Sequence, residues 1–200
     1  RLRDLLALQQ QLPMPAYAAQ IVHVAADPFT HKVVIDKGST QGLVAGAPVI
    51  DGHGLLGQVV RVFPFASEVN LLDDPKQAVP VLNNRTGERS LVYGDSQNPR
   101  GAELEVRFLA STADVAVGDT FVTSGVGGIY PAGLPVGTVS KVEKRSNTAF
   151  LRVELAPAAQ LMSVSHVLVL EPIAQPFIEG MPNPDTEAHS PARTQTPASR

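Results

Sequence analysis

Set one above the other, two stretches decide the fold: Lys32–Ile50 reads KVVIDKGSTQGLVAGAPVI, and Leu104–Val122 reads LEVRFLASTADVAVGDTFV. They align without gaps, matching Val34 with Val106, Ser39-Thr40 with Ser111-Thr112 and Gly46 with Gly118. Beyond each, a glycine-bounded turn launches a run ending V-x-x-V, in Gly54–Val62 (GLLGQVVRV) and Gly133–Val142 (GLPVGTVSKV). Two further apolar runs close each unit: Glu68–Leu72 with Ala78–Leu82, then Phe150–Leu155 with His166–Leu170. With Gln20–Ala25 and Ser90–Tyr93 ahead of them, the pattern predicts an internal duplication of about six strands per unit. Glu103–Phe108 alternates charged and apolar residues, as a strand does in a sheet wet on one face. Units this short would expose sheet edges, and closure into small barrels removes them. The expected fold is therefore all-β, with a first six-stranded barrel over 15–87 and a second over 88–172. An alternative connectivity lets the first two strands complete the second barrel.

Composition narrows the chemistry. The chain is 44% hydrophobic but only 5% aromatic and has no Trp, so its core must come from Val, Leu, Ile and Ala. Net charge is −3 with no Lys/Arg cluster, which argues against nucleic acid as a partner. The absence of cysteine excludes disulfides and thiolate metal sites. The histidines have no i, i+4 pair and Asp73-Asp74 before Pro75 reads as a turn, so no metal site is expected. Gly125–Gly133 lacks the G-K-[S/T] of a phosphate loop. No cofactor is predicted.

The flanks differ from the middle. Leu5, Leu8 and Leu12 form a heptad seam on what reads as the end of a helix over 1–14, which points to self-association. Pro13 and Pro15 stop that helix. A helix so short is marginal alone, so the sequence reads as a fragment with a longer coiled coil and an anchor upstream. No apolar run approaches the ~18 residues of a membrane span. Over 173–200 a polar, proline-punctuated stretch predicts a disordered tail.

The string Gly118-Asp119-Thr120-Phe121-Val122-Thr123-Ser124-Gly125, continued by Gly127-Gly128-Ile129-Tyr130-Pro131-Ala132-Gly133-Leu134-Pro135-Val136-Gly137, resembles the long Gly/Pro signature of the MreC family. Ile35–Val59 and Asp73-Asp74-Pro75 resemble that family as well. The resemblance implies a non-enzymatic scaffold of the cell-wall elongation machinery that governs rod shape. It implies two barrels loosely like the chymotrypsin fold and a single-pass anchor, on the periplasmic face of the inner membrane. Implied partners are a second copy of the chain, MreD, MreB, RodA and a penicillin-binding transpeptidase.

Two rival chemistries can be read from the residues. Ser124 beside Gly125, with His23, His31 and His53 in the earlier half, invites a degenerate serine hydrolase. The local T-S-G-V-G-G instead suits a tight turn of small residues. A wall-glycan-binding module is the other, though it usually needs Trp or Tyr platforms. For partner binding, the expected anchors are Ile129 and Tyr130, inside the Gly/Pro-rich loop, and Phe63 and Phe65, between two strands.

Overall fold

The computed structural model describes residues 14–24, 31–95, 103–144 and 149–172. Leu5, Leu8, Leu12, the predicted helix and the tail from residue 173 lie outside them. The predicted runs form strands, with Lys32–Ile50 and Leu104–Val122 each supplying two: β1 (Ala16–Val24), β2 (Lys32–Ile35), β3 (Pro48–Ile50), β4 (Leu55–Val62), β5 (Ser67–Leu71) and β6 (Val79–Asn83) in the first half. The second half supplies β7 (Arg89–Gly94), β8 (Leu104–Arg107), β9 (Thr120–Thr123), β10 (Pro135–Glu143), β11 (Arg152–Pro157) and β12 (His166–Leu170).

The strands close into two antiparallel six-stranded barrels, in the order β1-β12-β3-β4-β5-β2 and β10-β11-β8-β7-β6-β9. The duplication is visible in the hydrogen bonds. Gly46 N–H donates to Val59 O at 2.8 Å, and Gly118 N–H donates to Val139 O at 2.9 Å. Val59 N–H returns to Ala47 O, as Val139 N–H returns to Asp119 O. Gly46 and Gly118 have φ of 91° and 93°, a left-handed conformation that carries no steric penalty only for glycine. Both long strands bulge just beyond, between Val59 and Arg61 and between Val139 and Lys141. A bulge bends and twists a strand, which a barrel this small requires.

The linear division at 87/88 does not hold. β6 pairs with β7 and β9 in the second barrel, while β12 pairs with β1 and β3 in the first. The second barrel is thus the contiguous segment β6–β11, set between β5 and β12 of the first. Nor do the first two strands join the second barrel, since β1 and β2 pair with each other and β2 pairs with β5. Local turn chemistry explains where β6 goes. Asn83 Oδ1 accepts from the N–H groups of Arg85 at 2.8 Å and Thr86 at 3.3 Å. Gly87 has φ of 75°, which completes a tight β6–β7 hairpin, and strands joined this way pair with each other.

Each barrel has an apolar interior, mainly aliphatic, with Phe121 in the second. Ile35, Val49, Leu55, Val59 and Val69 are buried in the first barrel, and Val81, Val92, Leu104, Phe121 and Leu155 in the second. In β12, Val167, Leu168, Val169 and Leu170 are all essentially fully buried. At about 1.5–3 kcal/mol for each large aliphatic side chain, the four contribute roughly 6–12 kcal/mol before the entropy of ordering the strand. That is comparable to the whole stability of a typical domain, about 5–15 kcal/mol. Losing β12 also uncovers the core it faces and leaves β1 and β3 as open edges. A fragment spanning 79–158 is accordingly expected to fold alone, with dispersed amide NMR resonances and a cooperative melt. A fragment spanning 15–87 is expected to stay unfolded, and a cooperative melt from it would contradict this account of closure.

Candidate functional site

The tip between β4 and β5 is fixed by its backbone. Phe63 N–H donates to Ala66 O at 2.8 Å, and Ser39 N–H donates to Phe63 O at 2.9 Å. Thr40 donates to Pro64 O through both its N–H, at 3.1 Å, and its Oγ1, at 2.7 Å. With the main chain held, Phe63 and Phe65 stand out at 42% and 72% exposure. The backbone that carries each ring is therefore fixed.

The loop between β9 and β10 divides its two candidates. Ile129 is 43% exposed, whereas Tyr130 is 2% exposed. The expectation that Tyr130 stands at the surface is thus corrected. Thr123 is the cause: its Oγ1 donates to Pro131 O and accepts from Leu134 N–H, folding the loop back on its own strand. The Tyr130 ring enters the joint between the barrels. Its hydroxyl donates to Gln58 Oε1 at 3.1 Å and accepts from Gln77 Nε2 at 2.8 Å. Burial pushes the phenol up to about 12, and the Gln77 hydrogen bond opposes the shift.

A pair of aromatic residues escaped the sequence reading. Phe108 and Phe150 are 63% and 52% exposed, with ring centroids 6.2 Å apart in an edge-to-face arrangement. Alternation along Glu103–Phe108 would send Phe108 inward with Leu104 and Val106. Instead Phe108 has φ of 66°, which turns it outward and places Leu109 in the core at 0% exposure. Positive φ in a bulky residue is strained and persists only where the surroundings impose it. The one sequence signal was the adjacent pair Phe108-Leu109, which breaks the period of two.

Ser124 has no catalytic partner among the described residues. Its N–H donates to Pro80 O at 3.0 Å, and its Oγ accepts from Val126 N–H at 3.4 Å. His31 Nδ1 lies 2.9 Å from Asp73, His53 Nδ1 lies 3.7 Å from Asp51, and His23 is an exposed residue of β1. His31 and His53 are thus each paired with an aspartate, and the segment that follows Ser124 is a turn in which Gly125, Gly127 and Gly128 take positive φ. Among the described residues no group of three or more His, Cys, Asp or Glu is placed to hold a metal ion.

The aspartate that opens the signature is also structural. Asp119 accepts from Arg85 Nε at 2.7 Å, Arg85 Nη2 at 2.8 Å, Asn83 Nδ2 at 2.8 Å and Ala116 N–H at 3.0 Å. Arg85 also reaches Asp114, at 2.8 Å and 3.1 Å. The Arg85 guanidinium holds the Asp119 carboxyl well below the usual carboxylate range, helped by Ala116 and Asn83 and opposed by burial. The group ties the β6–β7 turn to the start of β9.

A profile described as the barrel core of the rod shape-determining protein MreC matches residues 21–171. The chain belongs to the MreC family. It is 35% identical over 170 residues to the cell shape-determining protein MreC of Escherichia coli, covering 85% of this chain and 46% of that protein. The chain thus spans about half the length of the curated relatives it matches. The crystal structure of MreC from Pseudomonas aeruginosa superposes with a TM-score of 0.73 at 39% identity, covering 77% of this chain and 97% of the other. A Helicobacter pylori MreC solved in complex with the penicillin-binding protein PBP2 shares the fold, with a TM-score of 0.63 at 19% identity over 81% of this chain and 99% of that one. The MreC family is one of cell shape-determining structural proteins rather than enzymes.

Two measurements test these assignments. Tyr130→Ala should destabilise the protein by about 3 kcal/mol or more, as deletion of a buried ring does. Tyr130→Phe should cost roughly 1–3 kcal/mol, because it leaves the buried Gln77 amide and the half-buried Gln58 short of a partner. Chemical denaturation of both variants reads the two values, and an unchanged midpoint for Tyr130→Ala would contradict the burial. For Asp119, the depressed folded value means that its stabilisation is fully present above the ordinary carboxylate range, near pH ~4. It is lost as pH falls through the folded value. The melting temperature should therefore drop on acidification below about pH 4, and Asp119→Asn should flatten the part of that drop due to this group.

Proposed function

We propose that this chain is the barrel core of a non-enzymatic cell-shape scaffold, which binds a penicillin-binding transpeptidase of the wall-elongation machinery through apolar side chains at its loop tips. The observation that carries this reading is the pair Phe63 and Phe65, exposed on a tip whose backbone is already fixed by Ser39, Thr40 and Ala66. Large apolar side chains on a rigid element lose little conformational entropy on binding and dominate interface energies. Ile129 adds a third exposed apolar group, and Phe108 with Phe150 a further pair. Tyr130 is withdrawn from the surface set by its burial. The Helicobacter pylori complex supports the choice of partner, because there a protein of this fold is bound to PBP2.

The remaining assignments extend the family reading. Leu5, Leu8 and Leu12 would continue a parallel coiled coil and drive self-association, with RodA, MreD and MreB as further members of the assembly. The barrels would sit on the periplasmic face of the inner membrane, below an anchor upstream of this segment. Action is then positional: the scaffold shifts a synthase toward the arrangement it binds more tightly.

The test replaces both rings with a polar residue. The double variant Phe63→Ser and Phe65→Ser should weaken transpeptidase binding by about 2–4 kcal/mol, the range of hot-spot truncations. Its melting temperature should stay close to that of the parent, since rings this exposed bury little area in the free protein. Calorimetry that finds the same affinity for the double variant would remove this tip from the interface.

A further inference from the structure

The two barrels are joined by two chain segments, 72–78 between β5 and β6 and 158–165 between β11 and β12. Such a double connection resists twisting but does not by itself select an angle. Side chains at the joint can. Gln58 lies on β4 of the first barrel, Gln77 on the first connecting segment, and Tyr130 on the β9–β10 loop of the second barrel. They form a closed triangle: Gln77 Nε2 donates to Gln58 Oε1 and to the Tyr130 hydroxyl, both at 2.8 Å, and that hydroxyl donates to Gln58 Oε1 at 3.1 Å. Gln58 Nε2 is directed away to Gly46 O at 3.0 Å, so its amide is anchored in the first barrel at the duplicated glycine turn. Gln77 is 8% exposed and Tyr130 is 2% exposed, leaving little room for water to replace a lost partner.

Close backbone contact accompanies the triangle. A side-chain carbon placed on Gly54, in the β3–β4 turn of the first barrel, would fall 2.5 Å from Pro135 O and 2.9 Å from Ala158 Cβ. The second connecting segment is held to the first barrel by Gln160 N–H, which donates to Asp51 Oδ2 at 2.8 Å. Contact of this kind sets how near the barrels come. It does not set their rotation, because contact alone is satisfied over a range of angles.

We propose that the Gln58–Gln77–Tyr130 triangle is an angular lock, which fixes the orientation of one barrel against the other and so the spacing between Phe63-Phe65 on the first and Phe108-Phe150 on the second. A hydrogen-bonded triangle is satisfied in one geometry, and any rotation that opens it leaves buried donors and acceptors unpaired. Tyr130 is thus a positioning residue acting on surfaces it does not belong to. The lock is a property of the free chain and holds whatever partner the tips bind.

Because the chain has no cysteine, a label pair is introduced cleanly by Val60→Cys on β4 and Thr138→Cys on β10, both exposed positions. Spin-label distances are then measured in the otherwise unaltered chain, in Tyr130→Phe and in Gln58→Met. The parent should give one narrow distance distribution. Both variants should give a broad or displaced one, with amide NMR showing each barrel intact. Tyr130→Phe keeps the ring, so a role in packing alone would not move the distance. A distribution as narrow as the parent's, at the same distance, in both variants would overturn the lock. Transpeptidase affinity is read separately with the Phe63 and Phe65 variants, so failure of the binding reading is distinguishable from failure of the lock.

Discussion

Without β12, the first barrel would be an open sheet. His166–Leu170 lies between β1 and β3, matched residue for residue with Ala16–Gln20 on one side. Its four consecutive aliphatic side chains are buried on both faces of the strand, so alternate ones fill the barrel interior, and its backbone satisfies the two strands that would otherwise be edges. Much else follows from this pairing. The second barrel is confined between β5 and β12, the chain enters and leaves the described region at one end of the first barrel, and Glu171 N–H reaches Pro15 O across that end. The second barrel is reached only through the two segments of the joint.

The duplication and the closure are linked. In each unit five consecutive strands build one barrel, and the sixth leaves to close the other: β6 serves the second and β12 the first. The two barrels are equivalent in pairing, in the glycine turns at Gly46 and Gly118 and in the bulges that follow. They are unlike in what they expose. The first presents Phe63 and Phe65 on a hairpin tip, while the second presents Phe108 through a strained backbone beside Phe150. Equivalent scaffolds with different exposed residues allow two distinct surfaces to be held in fixed relation, provided the joint is stiff.

The signature around Gly118–Gly137 shows how a motif can be legible while its purpose is not. Asp119 takes four donors, from Arg85, Asn83 and Ala116, and Thr123 staples the loop that follows. Both are fold-forming roles, carried by small or polar residues at turns. Tyr130 was read as exposed because a Gly/Pro-rich loop offers little local core. Its partners come from the other barrel, through Gln58, and from the segment between the barrels, through Gln77, and no local pattern records that. Phe108 erred in the opposite direction. Its place in an alternating strand assigned it inward, and a single positive φ reversed the faces of Phe108 and Leu109.

Period-two alternation, glycine and proline punctuation and the gapless match of two stretches determined that this chain is all-β, duplicated and built of small barrels. The first two are properties of residues close together along the chain, where side-chain direction and turn geometry follow from local sterics, and the match repeats such local patterns in a second stretch. Which barrel each sixth strand closes, and whether a loop aromatic faces water or the neighbouring barrel, were decided only by the tertiary structure. Edge strands of similar composition can accept any β12-like partner, so the choice rests on chain connectivity and on the fit of side chains from distant segments. Those are energies of the assembled fold, and the local sequence does not contain them.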